Sequence, residues 1–204
     1  MDFAEEEKKM GLKELMDQIA GYLPWSEEEL REKQQILQFM EKNPDCLFRS
    51  NEIAHMTASA WIVNPRRTKV VMAYHNIYHS WAWLGGHADG EADLLKVAKK
   101  EGEEEAGLKF LRPVTEEIFS LESLIVEGHQ KRGAWVPSHL HLNLTYLFEA
   151  DEEEKLHRNE EENSGVRWFS LEEALTASEE PWMVEHIYQK LIQKMKSLKQ
   201  TEML

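Results

Sequence analysis

The sequence predicts an α/β fold in the broad sense with a helical extension in front of it, and three observations carry that reading. Apolar residues over positions 1 to about 50 recur at three- and four-residue spacing, the period of one helix face. From Met56 the pattern changes to short apolar, partly β-branched runs broken by turn residues, which is strand patterning. Further helical stretches then mix with strands without strict βαβ repetition. The expected division is a helical extension over 1–52 and a main domain over 53–204 that includes the C-terminal helices.

In the extension, Leu12, Leu15, Met16, Ile19 and Leu23 share a face. Pro24 and Trp25 break that helix, and Ser26 with Glu29 has the spacing of a capping box. Leu30, Ile36, Leu37 and Met40 form the stripe of the next helix, which Asn43-Pro44 ends. Such stripes fit a helical hairpin packed on the main domain, and they leave room for a homodimer. Thr57 to Asn64 and Lys69 to Tyr74 then read as a hairpin around Asn64-Pro65-Arg66-Arg67, and Trp81 to Leu84 as a strand running into Gly85-Gly86. A helix is expected from Ala92 to Ala106, with Gly107 as its C-cap. Ser120 to Val126 is a strand, and His139 to Phe148 alternates Leu140, Leu142, Leu144 and Tyr146 against His139, His141, Asn143 and Thr145. A solvated acidic loop over 151–163, a strand at Val166–Phe169, a short helix capped by Ser170 with Glu173, and a terminal helix opened by Pro181 complete the chain. Val184, Ile187, Leu191 and Met195 are that last helix's stripe.

Charge narrows the function. Asp and Glu outnumber Lys and Arg 38 to 24, for a net charge of −14. Nucleic-acid affinity rests on cationic side chains neutralising phosphates, so a long nucleic acid is an unsuitable partner. A small phosphorylated metabolite remains suitable where a divalent cation mediates the contact. Cys46 is the sole cysteine, which rules out an intrachain disulfide and fits a reducing compartment. The start of the chain has neither the basic nor the apolar region of a signal peptide, and no run nears ~18 apolar residues, so a cytoplasmic protein with no membrane contact is expected.

The informative stretch is Gly85 to Leu108, GGHADGEADLLKVAKKEGEEEAGL. A Gly-Gly turn after a strand lets backbone approach a ligand closely. On the following helix Glu101, Glu104 and Glu105 stand at i, i+3 and i+4, which puts three carboxylates on one face. Their mutual repulsion, and their place at the negative end of the helix dipole, both work against the arrangement. A divalent cation reverses that balance, since Mg²⁺ prefers hard oxygen ligands. Without one, the run is a solvated helix end.

Taken together the stretch resembles the Nudix box: Gly, five residues, Glu, seven residues, Arg-Glu, an aliphatic, any residue, Glu-Glu, any residue, Gly, an aliphatic. Counted back from Gly107-Leu108, the match falls on Glu101, Glu104, Glu105 and Gly86. The Gly-Gly-His-Ala-Asp-Gly opening is similar to one branch of the family, and Val166 to Ala174 also looks like it; the resemblance spans about Met56 to Ala174. It implies a mixed sheet between helices and a metal-dependent hydrolase that cleaves a diphosphate bond in a small nucleoside-diphosphate-linked metabolite. It further implies Mg²⁺ or Mn²⁺ held by Glu101, Glu104 and Glu105 with the Gly86 carbonyl, and Glu101 or Glu104 as general base. Gly85, Gly86, His87, His139 and His141 are the expected substrate-binding residues, although His87 also reads as a loop-exposed imidazole and the other two as hydrogen-bonded structural ones.

Three positions depart from the pattern. Ala92 stands at the family's first Glu, between Glu91 and Asp93; Lys100 replaces the Arg; Gly102 replaces a core aliphatic and is expected to leave a packing gap. Lys100 enters the catalytic set at the Arg position, although Lys cannot reproduce a bidentate contact. These departures support an alternative, a catalytically weakened Nudix-like module that binds or senses a nucleotide. An acidic Ca²⁺-binding protein is a weaker rival, because Asp89 to Asp93 lacks EF-hand ligand spacing.

Overall fold

A computed structural model describes residues 3–77, 79–131, 133–160 and 163–201 of the chain. It opens with two helices, α1 (Phe3–Gly21) and α2 (Glu27–Lys42). Leu15 and Ile19 are buried on the α1 face as expected, but Leu23 lies beyond the helix end and is 87% exposed. In α2 the Ser26 hydroxyl caps the helix by accepting from Glu29 N at 3.2 Å. Ile36 and Met40 are buried while Leu30 is exposed, so the stripe is one residue off at its start. Glu29 takes the inward place. Its carboxylate accepts from the Trp25 amide and from the Ser120 hydroxyl (3.0 Å), bonds to a charged acceptor that offset the cost of burying it.

The strands are β1 (Ala54–Val63), β2 (Lys69–His75), β3 (Ser80–Ala82), β4 (Leu84–His87), β5 (Arg112–Pro113), β6 (Ser120–Val126), β7 (His129–Lys131), β8 (Ala134–Val136), β9 (His139–Glu149) and β10 (Asn163–Ser170). The main sheet has the order β10-β2-β1-β9-β5, with β3 on β2, β4 on β1 and β6 on β9; β7 and β8 form a separate hairpin. β10 and β3 are antiparallel to β2, and β6 and β5 antiparallel to β9. Leu140 N donates to Ile53 O, and ten residues further along both strands Ala150 N donates to Val63 O, so β9 runs parallel to β1 and the sheet is mixed.

The chain forms two compact units. The first comprises residues 1–58, 86–97 and 117–145. Within it α2 docks on β6 through the Glu29–Ser120 bond and through Glu32, which accepts from Ser123 N at 3.1 Å. The expected polar face of β9 continues inward here: Asn143 and Thr145 are buried, and both donate to Glu122 (3.1 and 2.9 Å), while Thr57 donates to Asn143 (3.0 Å).

The second unit comprises 59–85, 98–116 and 146–204. The Asn64 side chain closes the β1–β2 hairpin, accepting from Thr68 N at 2.8 Å and Lys69 N at 3.0 Å. Trp81 packs edge-on against Tyr74 and Phe169. The box helix is α3 (Leu94–Ala106), two residues shorter at its start than expected because the Asp93 carboxylate accepts from Lys96 N at 3.1 Å and opens the helix at Leu94. Gly107 follows at φ 66°, the left-handed C-cap the sequence implies. After α4 (Leu171–Ala177), the terminal helix is not continuous: α5 (Pro181–Met183) passes through a π-helical turn, Val184–Tyr188, into α6 (Gln189–Thr201). The turn carries an extra residue, and Tyr188 is buried there, with its ring stacked on Trp61.

Gly102 leaves no gap. A Cβ there would lie 2.9 Å from Leu111 Cδ2, 3.1 Å from Ile62 Cδ1 and 3.2 Å from Ala60 Cβ, so these side chains already fill the space of the family's aliphatic. Gly102→Leu is therefore expected to lower unfolding stability by about 1–3 kcal/mol through overpacking, despite its better helix propensity. Urea unfolding with unchanged slope measures it, and a more stable variant would contradict the packing account.

Candidate functional site

The expected site residues fall into two groups. The first lies in the second unit, at the C-terminal half of α3, and its three carboxylates are not equivalent. Glu105 is 5% exposed; it accepts from Gly85 N at 3.1 Å and from Asn163 Nδ2 at 3.5 Å. Glu101 and Glu104 have side chains 20% and 56% exposed. Lys100 Nζ stands 3.8 Å from Glu101 Oε1 and 3.5 Å from Glu104 Oε2. The helix spacing produces this division: position 105 turns inward beside Gly102 and Ala106, while 104 turns outward. The Gly85 amide, on β4, is the donor that reaches this carboxylate. A carboxylate fixed by a backbone amide is held in place by a charge-assisted bond. Lys100, exposed and ion-paired, offsets part of the repulsion between its two neighbours.

The departure at the family's first Glu lies against α1. In the first unit, a Cβ on Gly11 of α1 would lie 3.1 Å from Ala92 Cβ. Helix and loop thus meet at a close Gly–Ala contact, with Ala92 half-buried. Glu91, one place early, pairs instead with Lys96 at 2.6 Å.

The second group lies in the first unit, on β1, β4 and β9. Gly86 and His87 belong to β4, His139 and His141 to β9. His139 Nδ1 is 2.8 Å from Pro137 O, and its Nε2 is 3.2 Å from His141 Nε2. A residue the sequence reading missed, His55 on β1, joins them. Its ring stacks on His139 at 4.9 Å and tilts against His141 at 5.1 Å and His87 at 5.2 Å. His87 meets His141 edge-on at 4.8 Å. His55 is 4% exposed, with Nδ1 3.0 Å from Asn51 O. Burial lowers its pKa, the nearby His139 and Arg49 adding to the effect against the raising influence of the Asn51 carbonyl. The signal was faint: a His at the start of one strand and a His-x-His at the start of its parallel neighbour. Glu122, buried at the far end of the same face, was also missed.

Among the described residues no helix is long and apolar enough to cross a membrane. No curated protein matches the sequence. Solved structures of similar fold include an Ap4A hydrolase binary complex of C. elegans, at 18% identity and TM-score 0.50, covering 72% of this chain and 98% of that one. The MutT protein of Methanosarcina mazei Go1 is similar at 14% identity and TM-score 0.52, over 72% of this chain and 98% of that. The E. coli dihydroneopterin triphosphate pyrophosphohydrolase follows at 11% identity and TM-score 0.51, over 67% and 94%. The NUDIX domain description matches residues 54–191, well over half of the chain and all of the carboxylate helix, and the chain therefore belongs to the Nudix family of hydrolases.

Proposed function

We propose that the chain hydrolyses a phosphoanhydride bond in a small nucleoside-diphosphate-linked metabolite, using Mg²⁺ or Mn²⁺ held by Glu101, Glu104 and Glu105. The observation that carries this reading is the carboxylate group on α3, with Glu105 anchored by the Gly85 amide and Glu101 and Glu104 more open. The donor set fits the metal. All three side chains offer hard oxygen, the preference of Mg²⁺ and Mn²⁺, and their crowding at the negative end of a helix favours a cation. Two structures of similar fold are named for Ap4A and dihydroneopterin triphosphate, whose shared reactive group is a phosphoanhydride.

A bound divalent ion supplies neutralisation of charge on the diphosphate oxygens. The chain's own groups do the rest. Glu101 or Glu104 accepts a proton from the attacking water as its oxygen bonds to phosphorus. The bridging P–O bond breaks, and its electron pair leaves on the departing phosphate. Glu105, fixed by its backbone bond, keeps the helix end in register with the Gly85 strand. Lys100 stands at the family's Arg position and orients Glu101 and Glu104 as a point charge. That ion pairing also supports a second reading, a module that binds a nucleotide without cleaving it, because Lys100 already supplies a positive charge to two of the carboxylates.

Turnover separates the two. Nucleoside triphosphates, dinucleoside polyphosphates and nucleotide sugars are incubated with Mg²⁺ or Mn²⁺, and phosphate is read after phosphatase coupling. Hydrolysis of at least one class is expected, abolished by EDTA and restored by Mg²⁺. Glu104→Gln should lower kcat/KM on the best substrate about 100-fold or more, roughly 2.7 kcal/mol of transition-state stabilisation. Full metal-dependent activity in that variant would remove Glu104 from the site, and no turnover on any class would favour the binding module. Stability should divide the carboxylates in another way. Glu105→Ala leaves the Gly85 amide without its acceptor and should cost about 1–3 kcal/mol. Glu104→Ala, on an exposed face, should stay within roughly 0.5 kcal/mol of the wild type. Chemical unfolding of the pair checks this, and the reverse order would overturn the division.

A further inference from the structure

The histidines of the first unit, which the sequence offers as substrate contacts, have a geometry of their own. We propose that His55, His139 and His141 form a site for one transition-metal ion that prefers imidazole ligands, Zn²⁺ first among them. One ring nitrogen from each of the three lies within 4.8 Å of the others. His139 Nε2 and His141 Nε2 are 3.2 Å apart. Two nitrogens bound to a tetrahedral Zn²⁺ at its usual bond lengths stand about 3.3 Å from one another, so this pair is already spaced as neighbouring ligands.

Hydrogen bonding sets the tautomers. A backbone carbonyl only accepts, so His55 Nδ1, 3.0 Å from Asn51 O, and His139 Nδ1, 2.8 Å from Pro137 O, both carry the proton. Each ring then presents a lone pair on Nε2. An imidazole whose other nitrogen donates to a carbonyl is the arrangement that orients metal-ligating histidines.

An independent observation comes from His55. The residue is 4% exposed, and its Nε2 is buried with no hydrogen-bond partner among the described residues. A buried acceptor left without a donor is costly, and a metal bond satisfies it in place of one. Ring stacking alone accounts for the contacts of His55 but not for that atom.

Chemistry chooses the ion. Three neutral nitrogens suit Zn²⁺ and related first-row ions, whereas Mg²⁺ takes oxygen. Three protein ligands leave a fourth position for water or a substrate atom, and His87, in ring contact with both His55 and His141, borders it. β1 and β9 are hydrogen-bonded strands, so the ligands are set before an ion arrives.

The test uses the full chain stripped with chelator, titrated with Zn²⁺ by calorimetry and with Co²⁺ by visible absorption. One equivalent of Zn²⁺ is expected to bind, Co²⁺ is expected to give the intense bands of a four-coordinate nitrogen site, and Zn²⁺ is expected to raise Tm. His55→Ala and His139→Ala should each weaken Zn²⁺ binding by more than the roughly 10–100-fold loss seen for an outer-shell partner. The titrations contain excess Mg²⁺, which competes for the α3 carboxylates. Circular dichroism confirms that each variant is folded, and His139→Asn serves where His139→Ala is not. Absence of Zn²⁺ binding by the wild type would overturn the proposal, as would affinity unchanged in both histidine variants. Mg²⁺-dependent hydrolysis is a separate readout, so failure of one assignment leaves the other standing.

Discussion

Burial of β1 on both faces is the constraint from which the rest follows. All ten of its residues, Ala54 to Val63, are withdrawn from solvent. A strand in that position has no exposed side on which to place polar groups, so each polar member must be answered from a neighbouring segment. Thr57 is answered by Asn143 on β9, which brings Glu122 and Thr145 into one hydrogen-bonded group. Asn64, just past the strand, turns its amide oxygen back to two backbone amides and closes the first hairpin. Among the described residues His55 is answered at one nitrogen only. Trp61, later in the strand, likewise has no partner for its Nε1 among the described residues.

What the sequence made legible was local. Periodicity identified both N-terminal helices and most strands, because a helix face or a strand alternation repeats within a few residues. Ser26, Ser170 and Gly107 marked helix ends by chemistry that acts over three or four residues, and each sits where that chemistry puts it. Errors arose where distant contacts decide. Leu30 and Glu29 exchange the roles their side chains suggest, since a hydroxyl on β6 makes the inward position favourable for a carboxylate. Gly102 read as a gap because its neighbours Ala60, Ile62 and Leu111 lie on other elements.

The candidate site divides along the same line. Glu101, Glu104 and Glu105 are visible from sequence because one helix places them, and the family pattern fixes their spacing. The difference between a fixed Glu105 and an open Glu104 is not visible, since it depends on the Gly85 amide. The histidines were half seen. His139 and His141 announce themselves by alternation, but His55 lies more than eighty residues earlier and only the parallel pairing of β1 with β9 unites them. Ala92 is similar: its near neighbour is Gly11, in a helix that the family pattern does not include.

The π-helical turn at Val184–Tyr188 lets the C-terminal segment hold one residue more than an α-helix turning through the same angle. Every residue advances an α-helix by about 100°. Five residues of wider winding therefore set the angular phase of everything that follows, including Leu191 and Met195, which are buried in α6. Four α-helical residues turn through nearly the same angle as these five, so deleting one from the turn would restore uniform winding and leave those side chains facing the core. The wider turn thus provides one more position with little change of phase downstream, and Tyr188 at its end is buried and stacked on Trp61.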